Sequence, residues 1–518
     1  MKNKKTHRIG IGLLLLPVLS ARIVRAEIRL PKLISDHAVF QRQVPIHLWG
    51  WTSPGEHITL AFHAQTRTAQ ANDFGEWSVW LEPEEAGGPY TLKLSGDAPH
   101  ESSLTVSDLL VGDVWVASGQ SNMEMPLRGF PDSAVLKNAE QEIASANLPR
   151  VRLLRVDRIA SDVPANDIPN TWTSSTPETA AAFSAVAFLF GRQIGHDEKI
   201  PIGLIDSTWG GTPISSWISL EALGANASFM PVFAERAQFA AEQSRVAQVT
   251  AAEKREDAAA KAANQPLPKH PWHPEQASWT PALLYNGMIA PLVPYSIKGF
   301  LWYQGESDSS PERGPMYAAL FPAMISDWRA QWNQGELPFL FVQISSFESA
   351  GEQWGVIRDA QRRALSTVNT AMAVSIDVGE AHNVHPADKQ TVAARLALAA
   401  RANVYHDTNA EFTGPVLRQA TIEMGAVRVW FDHAAGGLRA DRAPAGSAVT
   451  PETYKSAFEV AGEDHRFVPA QARIEGQTVV VSSSALPRPR FVRYAWSNEA
   501  GGGLYNQAGL PASTFTSE

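Results

Sequence analysis

The sequence predicts an α/β protein whose central domain is layered around a parallel sheet, with β-rich regions before and after it. After residue 107, continuous runs of Val, Ile, Leu and Phe alternate with helical stretches. Such unbroken apolar runs are typical of strands that helices cover on both faces. Short strand-like runs divided by turn signals precede and follow this part of the chain, which indicates β-rich flanks.

Length, charge and cysteine content restrict the possible classes. A chain of 518 residues predicts two to four domains. The formal net charge of -9 and the lack of a basic cluster beyond the N-terminus exclude a nucleic-acid partner. The chain has no cysteine, so it contains no disulfide, and stability must come from burial of the core.

Residues 1–26 have the pattern of a secretory signal peptide. Three lysines precede an apolar stretch from Ile9 to Leu19, and Val24-Arg25-Ala26 forms a small-residue cleavage site. A membrane anchor is the other interpretation, but it needs about 20 apolar residues. We therefore expect export to the periplasm or the exterior, with no membrane attachment once the signal is removed.

The two flanking regions are predicted to be strand-rich. Residues 27–106 contain runs such as Pro45 to Trp49 and Ile58 to Phe62, separated by Gly, Pro and Asn turns, and predict a sandwich-like β domain. Residues 407–518 again carry strand-like runs, among them Phe491 to Trp496. They predict a β-rich C-terminal region.

The central domain is predicted to span residues 107–406. Its strand candidates are Leu109 to Ala117, Pro201 to Ile205, Lys298 to Trp302, Phe339 to Ile344 and Ala371 to Ile376. The run from Val186 to Ile194 fits either a strand or a buried helix.

A helical insertion is predicted at about residues 225–278. The segment from Met230 to Ala263 is rich in Ala, Glu, Gln, Lys and Arg and has no Gly, and the Pro-rich stretch that follows cannot continue a helix. His270 and His273 in that stretch are possible metal ligands, although histidines in a Pro-rich loop more often face solvent. We predict no metal site.

The stretch Gly119-Gln120-Ser121-Asn122 directly follows an apolar strand. A serine at such a position exposes its hydroxyl and has a backbone N–H beside the atom that the hydroxyl attacks, as a nucleophile requires. Met123 stands where the G-x-S-x-G elbow has its last glycine. A Ser-Asn turn that caps a helix is the alternative.

Two more strand ends carry polar groups. Gly210 and Gly211 follow the second strand, where a glycine lets a backbone N–H approach a substrate oxygen. Gln304, Glu306 and Asp308 follow the third strand. Gln304 could donate to an oxyanion and Glu306 could orient a histidine, whereas Glu306 with Asp308 would be a glycosidase-like acid pair, for which two positions apart is usually too close.

His385 is the candidate general base. Pro386 is expected in the first turn of a helix, which places His385 on the loop just before it. A histidine held in this way suits a general base, because the ordinary pKa of an imidazole lies near a working pH. His382 and His385 could instead be metal ligands, but no third ligand is apparent nearby.

The four blocks together resemble the SGNH-type hydrolases and, more narrowly, the sialate O-acetylesterase family with its acetylxylan esterase relatives. The matching blocks are "GDVWVASGQSNM", "GGTPISSW", "WYQGES" and "HPADKQ", at residues 112–123, 210–217, 302–307 and 385–390. The N-terminal and C-terminal segments are also similar to those of the family. The resemblance thus covers nearly the whole mature chain and implies the three-layer SGNH-like fold.

The resemblance implies a role for each residue at a matching position. Ser121 is the expected nucleophile and His385 the base. The N–H groups of Ser121 and Gly211 are expected to bind the oxyanion, with Gln304 as a further candidate donor. Many SGNH hydrolases have an aspartate two or three residues before the histidine, and here these positions are Asn383 and His382. Asn383 can orient a ring but carries no charge. Glu306 is therefore expected to supply the carboxylate, with Asp377 as a second choice.

The predicted function is hydrolysis of acetyl esters on a sugar or glycan, without a cofactor. Residues expected to contact the substrate are Gln120, Asn122, Trp209 and Tyr303, with Trp217 and Trp302 as further aromatic candidates because aromatic faces pack on sugar rings. Buried tryptophans of a core would look the same. Sialate and acetylxylan stay equal candidates for the substrate. A glycosidase and a non-catalytic carbohydrate-binding protein are the alternative functions. The oligomeric state is not predicted.

Overall fold

The structure is a computed structural model that describes residues 27–97, 103–130, 135–268, 270, 273–407, 411–440 and 453–518. The predicted signal peptide, residues 1–26, lies outside the described residues. Among the described helices, none combines the length and the hydropathy needed to span a bilayer.

Six short strands form the N-terminal region. They are β1 Val39–Gln41, β2 Ile46–Trp51, β3 His57–Phe62, β4 Gln65–Gln70, β5 Glu76–Leu81 and β6 Gly87–Gly96. β2 pairs with β5, while β3 pairs with β4 and β6, all antiparallel. Alternate residues such as Leu48, Ile58 and Leu60 are fully buried, as in strands with one face on a core.

A single long strand, β7 (Ser103–Gly119), connects the N-terminal region to the central sheet. Its first half pairs antiparallel with β6, and its second half pairs parallel with two strands of the central sheet. The predicted boundary between residues 106 and 107 falls inside this strand. The division of the chain into domains stays a prediction.

The central sheet is parallel except at one edge. Besides β7 it contains β8 Leu148–Arg155, β9 Thr173–Ser175, β10 Ile202–Thr208, β11 Gly299–Tyr303, β12 Phe339–Gln343 and β13 Thr370–Val374. The strand order is β13-β12-β11-β7-β10-β8-β9, with β9 antiparallel. Each of the five predicted strands is present, within a few residues of its expected bounds apart from the extension of β7.

Helices cover both faces of this sheet. The helices of the structure are α1 Ser121–Glu124, α2 Ala139–Ala144, α3 Pro177–Ala181, α4 Ala185–Glu198, α5 Leu220–Gly224, α6 Pro231–Ala262, α7 Gly314–Trp332, α8 Trp354–Arg363, α9 Lys389–Asn403 and α10 Thr453–Ser456. The ambiguous run at 186–194 is therefore a helix, α4, and its residues are largely buried on one side of the sheet.

Aromatic contacts show which helix lies on which face. Trp115 of β7 packs edge-on against Phe190 of α4 at 5.1 Å, and α4 contacts α9. Phe300 of β11 packs against Trp328 of α7 at 5.3 Å, and α7 contacts α8. Phe300 is in register with Val116, the neighbour of Trp115, so the two helix pairs cover opposite faces. The predicted three-layer α/β fold class is confirmed.

The C-terminal region is β-rich, as predicted, whereas the assignment of residues 225–278 as an insertion stays a prediction. The insertion contains one long helix, α6, with the Pro-rich loop after it. The C-terminal strands are β14 Val416–Glu423, β15 Ala426–Asp432, β16 Phe458–Ala461, β17 Val468–Pro469, β18 Gln471–Glu475, β19 Thr478–Ser482, β20 Phe491–Tyr494 and β21 Phe515–Thr516. They form two four-stranded sheets, β14-β15-β19-β18 and β17-β16-β20-β21.

Gly119 ends β7 at a point where no side chain fits. Its φ is +134°, and a Cβ atom would lie 2.2 Å from the carbonyl oxygen of Tyr303. The next residue, Gln120, donates its N–H to that same oxygen at 3.1 Å. Glycine is therefore required for the ends of β7 and β11 to meet.

Candidate active site

The predicted site blocks meet at one edge of the central sheet. Because β7, β10 and β11 are parallel neighbours, the segments that follow their carboxyl ends come together. A cavity of about 680 Å³ opens there. Its lining includes Gln120, Ser121, Gly210, Gly211, Glu306, Ser307, Val384 and His385.

Ser121 is the first residue of the short helix α1 and lies half-buried at the cavity. The N–H groups in the first turn of a helix have no partner within the helix. Within the described residues, the Ser121 N–H has no acceptor, so it is available to a ligand. Gln120 accepts the N–H of Gly305 at 3.3 Å and that of Ser307 at 3.2 Å, which fixes the turn against the QGE block.

Glu124 of α1 connects the turn that carries Ser121 to the loop of Gly210 and Gly211. Its Oε2 accepts the Gly210 N–H at 2.8 Å, and its Oε1 pairs with Arg158. Gly211 has a φ of +72°, which favours glycine, and its N–H has no acceptor in the part of the chain that the structure describes. The N–H groups of Ser121 and Gly211 are thus two unpaired donors at the same cavity.

Trp279, at the end of the insertion, fixes the carbonyl side of Gly211. Its indole Nε1 donates to the Gly211 oxygen at 2.7 Å. The guanidinium of Arg313 lies 4.7 Å from the Trp279 ring centroid, and Arg313 pairs with Glu235 of α6 at 2.5 Å. The insertion therefore contributes directly to the cavity wall.

His385 lies on the loop between β13 and α9. The helix begins at Lys389, so the expectation that Pro386 lies in its first turn is corrected, with Asp388 as the N-cap. Burial, together with the nearby Lys389 cation, lowers the pKa of His385 to about 4. The ring packs edge-on against Phe130 at 5.1 Å. Neither ring nitrogen has a hydrogen-bond partner among the described residues.

Glu306 does not orient the imidazole in this structure. Its Oε1 accepts from Asn122 Nδ2 at 2.6 Å, and its other oxygen has no partner within the described residues. The Lys389 Nζ donates to Asn122 Oδ1 at 2.5 Å. These three side chains form a buried cluster, which we name the Lys389 cluster. The expectation that Glu306 contacts His385 is corrected accordingly.

Gln304 is not placed as an oxyanion donor. Its amide nitrogen donates to the Thr212 carbonyl at 3.0 Å and to Asp308 at 2.5 Å, and the side chain is fully buried away from the cavity. Asp308 also accepts the Ile214 N–H, and burial raises its pKa to about 6. Because Asp308 does not line the cavity, it cannot form a glycosidase-like pair with Glu306 across a bound sugar.

Several residues expected at the substrate are part of the core instead. Asn122 is fully buried, with its amide used inside the Lys389 cluster. Tyr303 is fully buried as the last residue of β11, and burial raises the pKa of its hydroxyl. Trp217 and Trp302 are also fully buried, and their rings contact each other edge to face with centroids 6.1 Å apart. Of the expected substrate contacts, Gln120 and Trp209 line the cavity.

Asp377 and Asn383, the sequence-based candidates for orienting the His385 ring, bond to other groups. Asp377 forms a buried, two-pronged ion pair with Arg395 of α9, at 2.6 and 2.8 Å. Asn383 accepts the backbone N–H of His385 at 3.0 Å rather than binding its ring. Asp377 therefore attaches α9 to the sheet edge, and Asn383 shapes the loop that carries His385.

The sequence contained a signal that could have identified Lys389. It belongs to the HPADKQ block, and it is the first residue of α9. A cation at a helix N-terminus opposes the helix dipole, so a buried lysine there indicates a specific partner. Trp279 and Glu124 had no such signal, because their partners lie far away in sequence.

The comparisons with known proteins agree with this geometry. The model of the carbohydrate esterase, sialic acid-specific acetylesterase family matches residues 270–402. The sialate O-acetylesterase of Rattus norvegicus is 31% identical over 538 residues, covering 94% of this chain and 93% of that protein. The chain belongs to the sialate O-acetylesterase family. The Homo sapiens sialate O-acetylesterase is 31% identical over 75% of this chain and 73% of its own length.

A solved structure that is similar to this chain supports the assignment. A carbohydrate acetylesterase from Xanthomonas citri superposes with a TM-score of 0.78 at 34% identity, covering 95% of this chain and 99% of its own. The predicted family is therefore confirmed, as are the class of carboxylic ester hydrolase and the carbohydrate O-acetylesterase function.

The histidines of the insertion bind acids of the long helix. His270 lies 3.1 Å from Asp257, and His273 lies 3.0 Å from Glu253. Within the described ranges, no three His, Asp or Glu side chains are grouped to hold a metal ion.

Proposed function

We propose that this sialate O-acetylesterase family member uses Ser121 as nucleophile and His385 as base to remove acetyl groups from a sugar. The observation that carries the proposal is that Ser121, Gly211 and His385 line a single cavity, although they are distant in sequence. Nucleophile, oxyanion donors and base are the parts that acyl transfer needs in one place. In an unliganded site the hydrogen bond between nucleophile and base is often long, and it shortens when substrate binds.

The mechanism proceeds through an acetyl-serine. His385 takes the Ser121 proton as Oγ attacks the acetyl carbonyl, and the N–H groups of Ser121 and Gly211 hold the resulting oxyanion. The imidazolium returns the proton to the sugar oxygen as the alcohol leaves. Water, deprotonated by His385, then attacks the acetyl-serine, and collapse of the second oxyanion releases acetate and restores the Ser121 hydroxyl.

Glu306 contributes charge rather than a hydrogen bond to the imidazole. It lines the cavity together with His385, and its Oε2 has no partner within the described residues. When ionised, a buried carboxylate at the same cavity stabilises a forming imidazolium more than it would in water, whereas burial raises the pKa of Glu306 and so favours its neutral form. This differs from the usual triad, in which the acid also holds the ring.

The sugar is proposed to pack on the aromatic side of the cavity. The aromatic residues of the lining are Phe130, Trp209, Trp279, Phe347 and Trp354. Aromatic rings provide apolar faces for sugar C–H groups, while Gln120 provides a polar contact nearby. Both arginines of the lining, Arg158 and Arg313, already pair with glutamates, so the structure favours neither sialate nor a neutral acetylated polysaccharide.

Replacement of His385 by alanine tests the proposed chemistry. We expect wild type to release acetate from p-nitrophenyl acetate, acetylxylan and O-acetylsialate to different extents, and His385→Ala to lose on the order of 10³-fold or more in kcat on each. Acetate is measured enzymatically and reducing sugar in parallel. His382→Ala is the matched control, because His382 is exposed and pairs with Glu348 outside the cavity. Release of reducing sugar instead of acetate would contradict the proposal.

The pH dependence of kcat/KM gives a second test. Because the pKa of His385 is lowered to about 4, the imidazole is neutral and able to accept a proton over most of the acidic range. Activity should fall as pH drops through that value, well below the ordinary histidine value near 6.5. Initial rates on p-nitrophenyl acetate across pH 3 to 8 measure this acidic limb. A limb centred near 6.5 would show that His385 is exposed or is not the base.

Export is proposed from the N-terminal pattern. Residues 1–26 have the charged head, apolar stretch and cleavage site of a signal peptide. The mature protein would then begin at Glu27.

A further inference from the structure

The Lys389 cluster lies beneath the proposed reacting pair. Lys389 and Asn122 are fully buried, and Glu306 is 7% exposed. Lys389 comes from the first turn of α9, Asn122 from α1 and Glu306 from the turn after β11. Three of the four active-site segments therefore contribute one member each, and the loop of Gly210 and Gly211 contributes none.

The lysine fixes the orientation of the Asn122 amide. An ammonium group can only donate, so the amide oxygen must face Lys389. The amide nitrogen then points to two acceptors, Glu306 Oε1 at 2.6 Å and the Val384 carbonyl at 2.9 Å. Without Lys389 the amide could turn over, and both of these bonds would be lost.

Through these bonds the cluster connects the nucleophile to the base. Asn122 is the residue after Ser121, and Val384 is the residue before His385. The bond from Asn122 to the Val384 carbonyl is thus a direct connection between the two loops. A displacement of about 1 Å between reacting groups can cost on the order of 100-fold in rate.

The same lysine acts on the imidazole electrostatically. Burial lowers the pKa of Lys389 to about 7, although attraction to Glu306, Glu380 and Asp388 partly raises it. Below that pH the ammonium is charged and disfavours protonation of His385. The other ionisable groups around the imidazole line the cavity: Arg158, His273, Glu275, Arg313 and Glu352.

We propose that Lys389 is a positioning residue of the esterase, which acts through Asn122 to hold Ser121 and His385 in register and through its charge to keep the imidazole unprotonated. The proposal rests on the proposed function, because it takes Ser121 and His385 as the reacting pair. It also explains why a cation occupies a buried helix N-terminus, where the dipole opposes it.

The test compares Lys389→Met with Lys389→Arg and the double variant E306Q/K389M. For Lys389→Met we expect kcat on p-nitrophenyl acetate to fall by up to about 100-fold with KM little changed, because acyl transfer and not ground-state binding is affected. The acidic limb of kcat/KM should move to higher pH, because the cation that disfavours the imidazolium is gone. Lys389→Arg keeps the charge and should leave the limb near its wild-type position.

The double variant keeps the test valid if Lys389→Met fails to fold. E306Q/K389M leaves no uncompensated charge in the cluster, so it is expected to fold even if Lys389→Met does not, and its limb should also move to higher pH. The shape of the pH profile does not depend on the amount of active enzyme. Lys137→Met is the matched control: Lys137 is exposed, lies 3.5 Å from Asp388 near the same helix end, and should not move the limb.

If the acidic limb of kcat/KM keeps its wild-type position in both Lys389→Met and E306Q/K389M, the proposal is overturned. Failure of both to fold would assign the cluster to folding and overturn its role in catalysis. Ser121→Ala, assayed alongside, separates the two proposals. If Ser121→Ala keeps its activity, the proposed function itself fails; if it is inactive while the limb stays in place, only the assignment of Lys389 fails.

Discussion

Ser121→Ala is expected to lower kcat for acetate release by on the order of 10⁴-fold or more. The variant removes the atom that would form the proposed acetyl-enzyme, and the other serines of the cavity lining, Ser278 and Ser307, lie on different segments of the chain. The unpaired N–H groups of Ser121 and Gly211 remain, so a residual rate above that of water is expected. Initial rates on p-nitrophenyl acetate and on acetylated oligosaccharide measure the loss.

Ser307→Ala is the matched control for this experiment. Ser307 lines the same cavity, and its backbone accepts from Arg313 and donates to Gln120. The substitution keeps those backbone contacts, so activity should stay near that of wild type. An equal loss in the two variants would mean that the cavity is sensitive to any change, and that Ser121 is not the nucleophile.

Asp377→Asn is expected to cause the largest loss of stability among single polar substitutions. It leaves the Arg395 guanidinium buried beside a neutral amide in place of its two-pronged carboxylate partner. Removing one partner of a buried ion pair costs about 3–5 kcal/mol in the free energy of unfolding. Chemical denaturation followed by circular dichroism measures the change.

The same variant separates stability from catalysis. Because Asp377 binds α9 and not the imidazole, kcat of the folded fraction should be unchanged. Asp432→Asn is the control, since Asp432 and Arg418 form an exposed pair 3.8 Å apart, and such pairs contribute at most about 1 kcal/mol. Normal stability with a reduced kcat in Asp377→Asn would instead place Asp377 in the catalytic machinery.

Much of the fold was predictable because it depends on local patterns. The buried parallel strands are continuous apolar runs, and the three polar blocks that follow β7, β10 and β11 had to meet at one edge once those strands were parallel neighbours. The predicted positions of Ser121, Gly211 and Trp209 at the cavity follow from this. The bounds of β7 were less predictable, since its extra residues pair with β6, a contact distant in sequence.

The direction of side chains beyond a strand end was not predictable. Gln304 and Tyr303 adjoin residues of the site, yet both are fully buried: Tyr303 is still part of β11, and Gln304 bonds to Thr212 and Asp308. Spacing along the sequence specifies faces only while the chain is extended. Asn122 was misassigned for the same reason, since it already lies inside helix α1.

The partner of a charged group was the least predictable feature. Glu306 has the burial expected of a catalytic acid, but its contact is to Asn122, a residue 184 positions away. Which of several buried polar groups it meets depends on packing distances of a few tenths of an ångström. The sequence could indicate that a carboxylate lies near the site, but not its partner.

The length of β7 has a mechanical consequence. Its 17 residues form one continuous strand with an irregularity at Asp108, whose φ is +56°, and this strand pairs with β6 at its start and ends two residues before Ser121. An N-terminal layer joined in this way cannot swing as a lid on a flexible tether. The N-terminal layer is therefore continuous with the sheet that carries the candidate site, and belongs to the frame of the molecule.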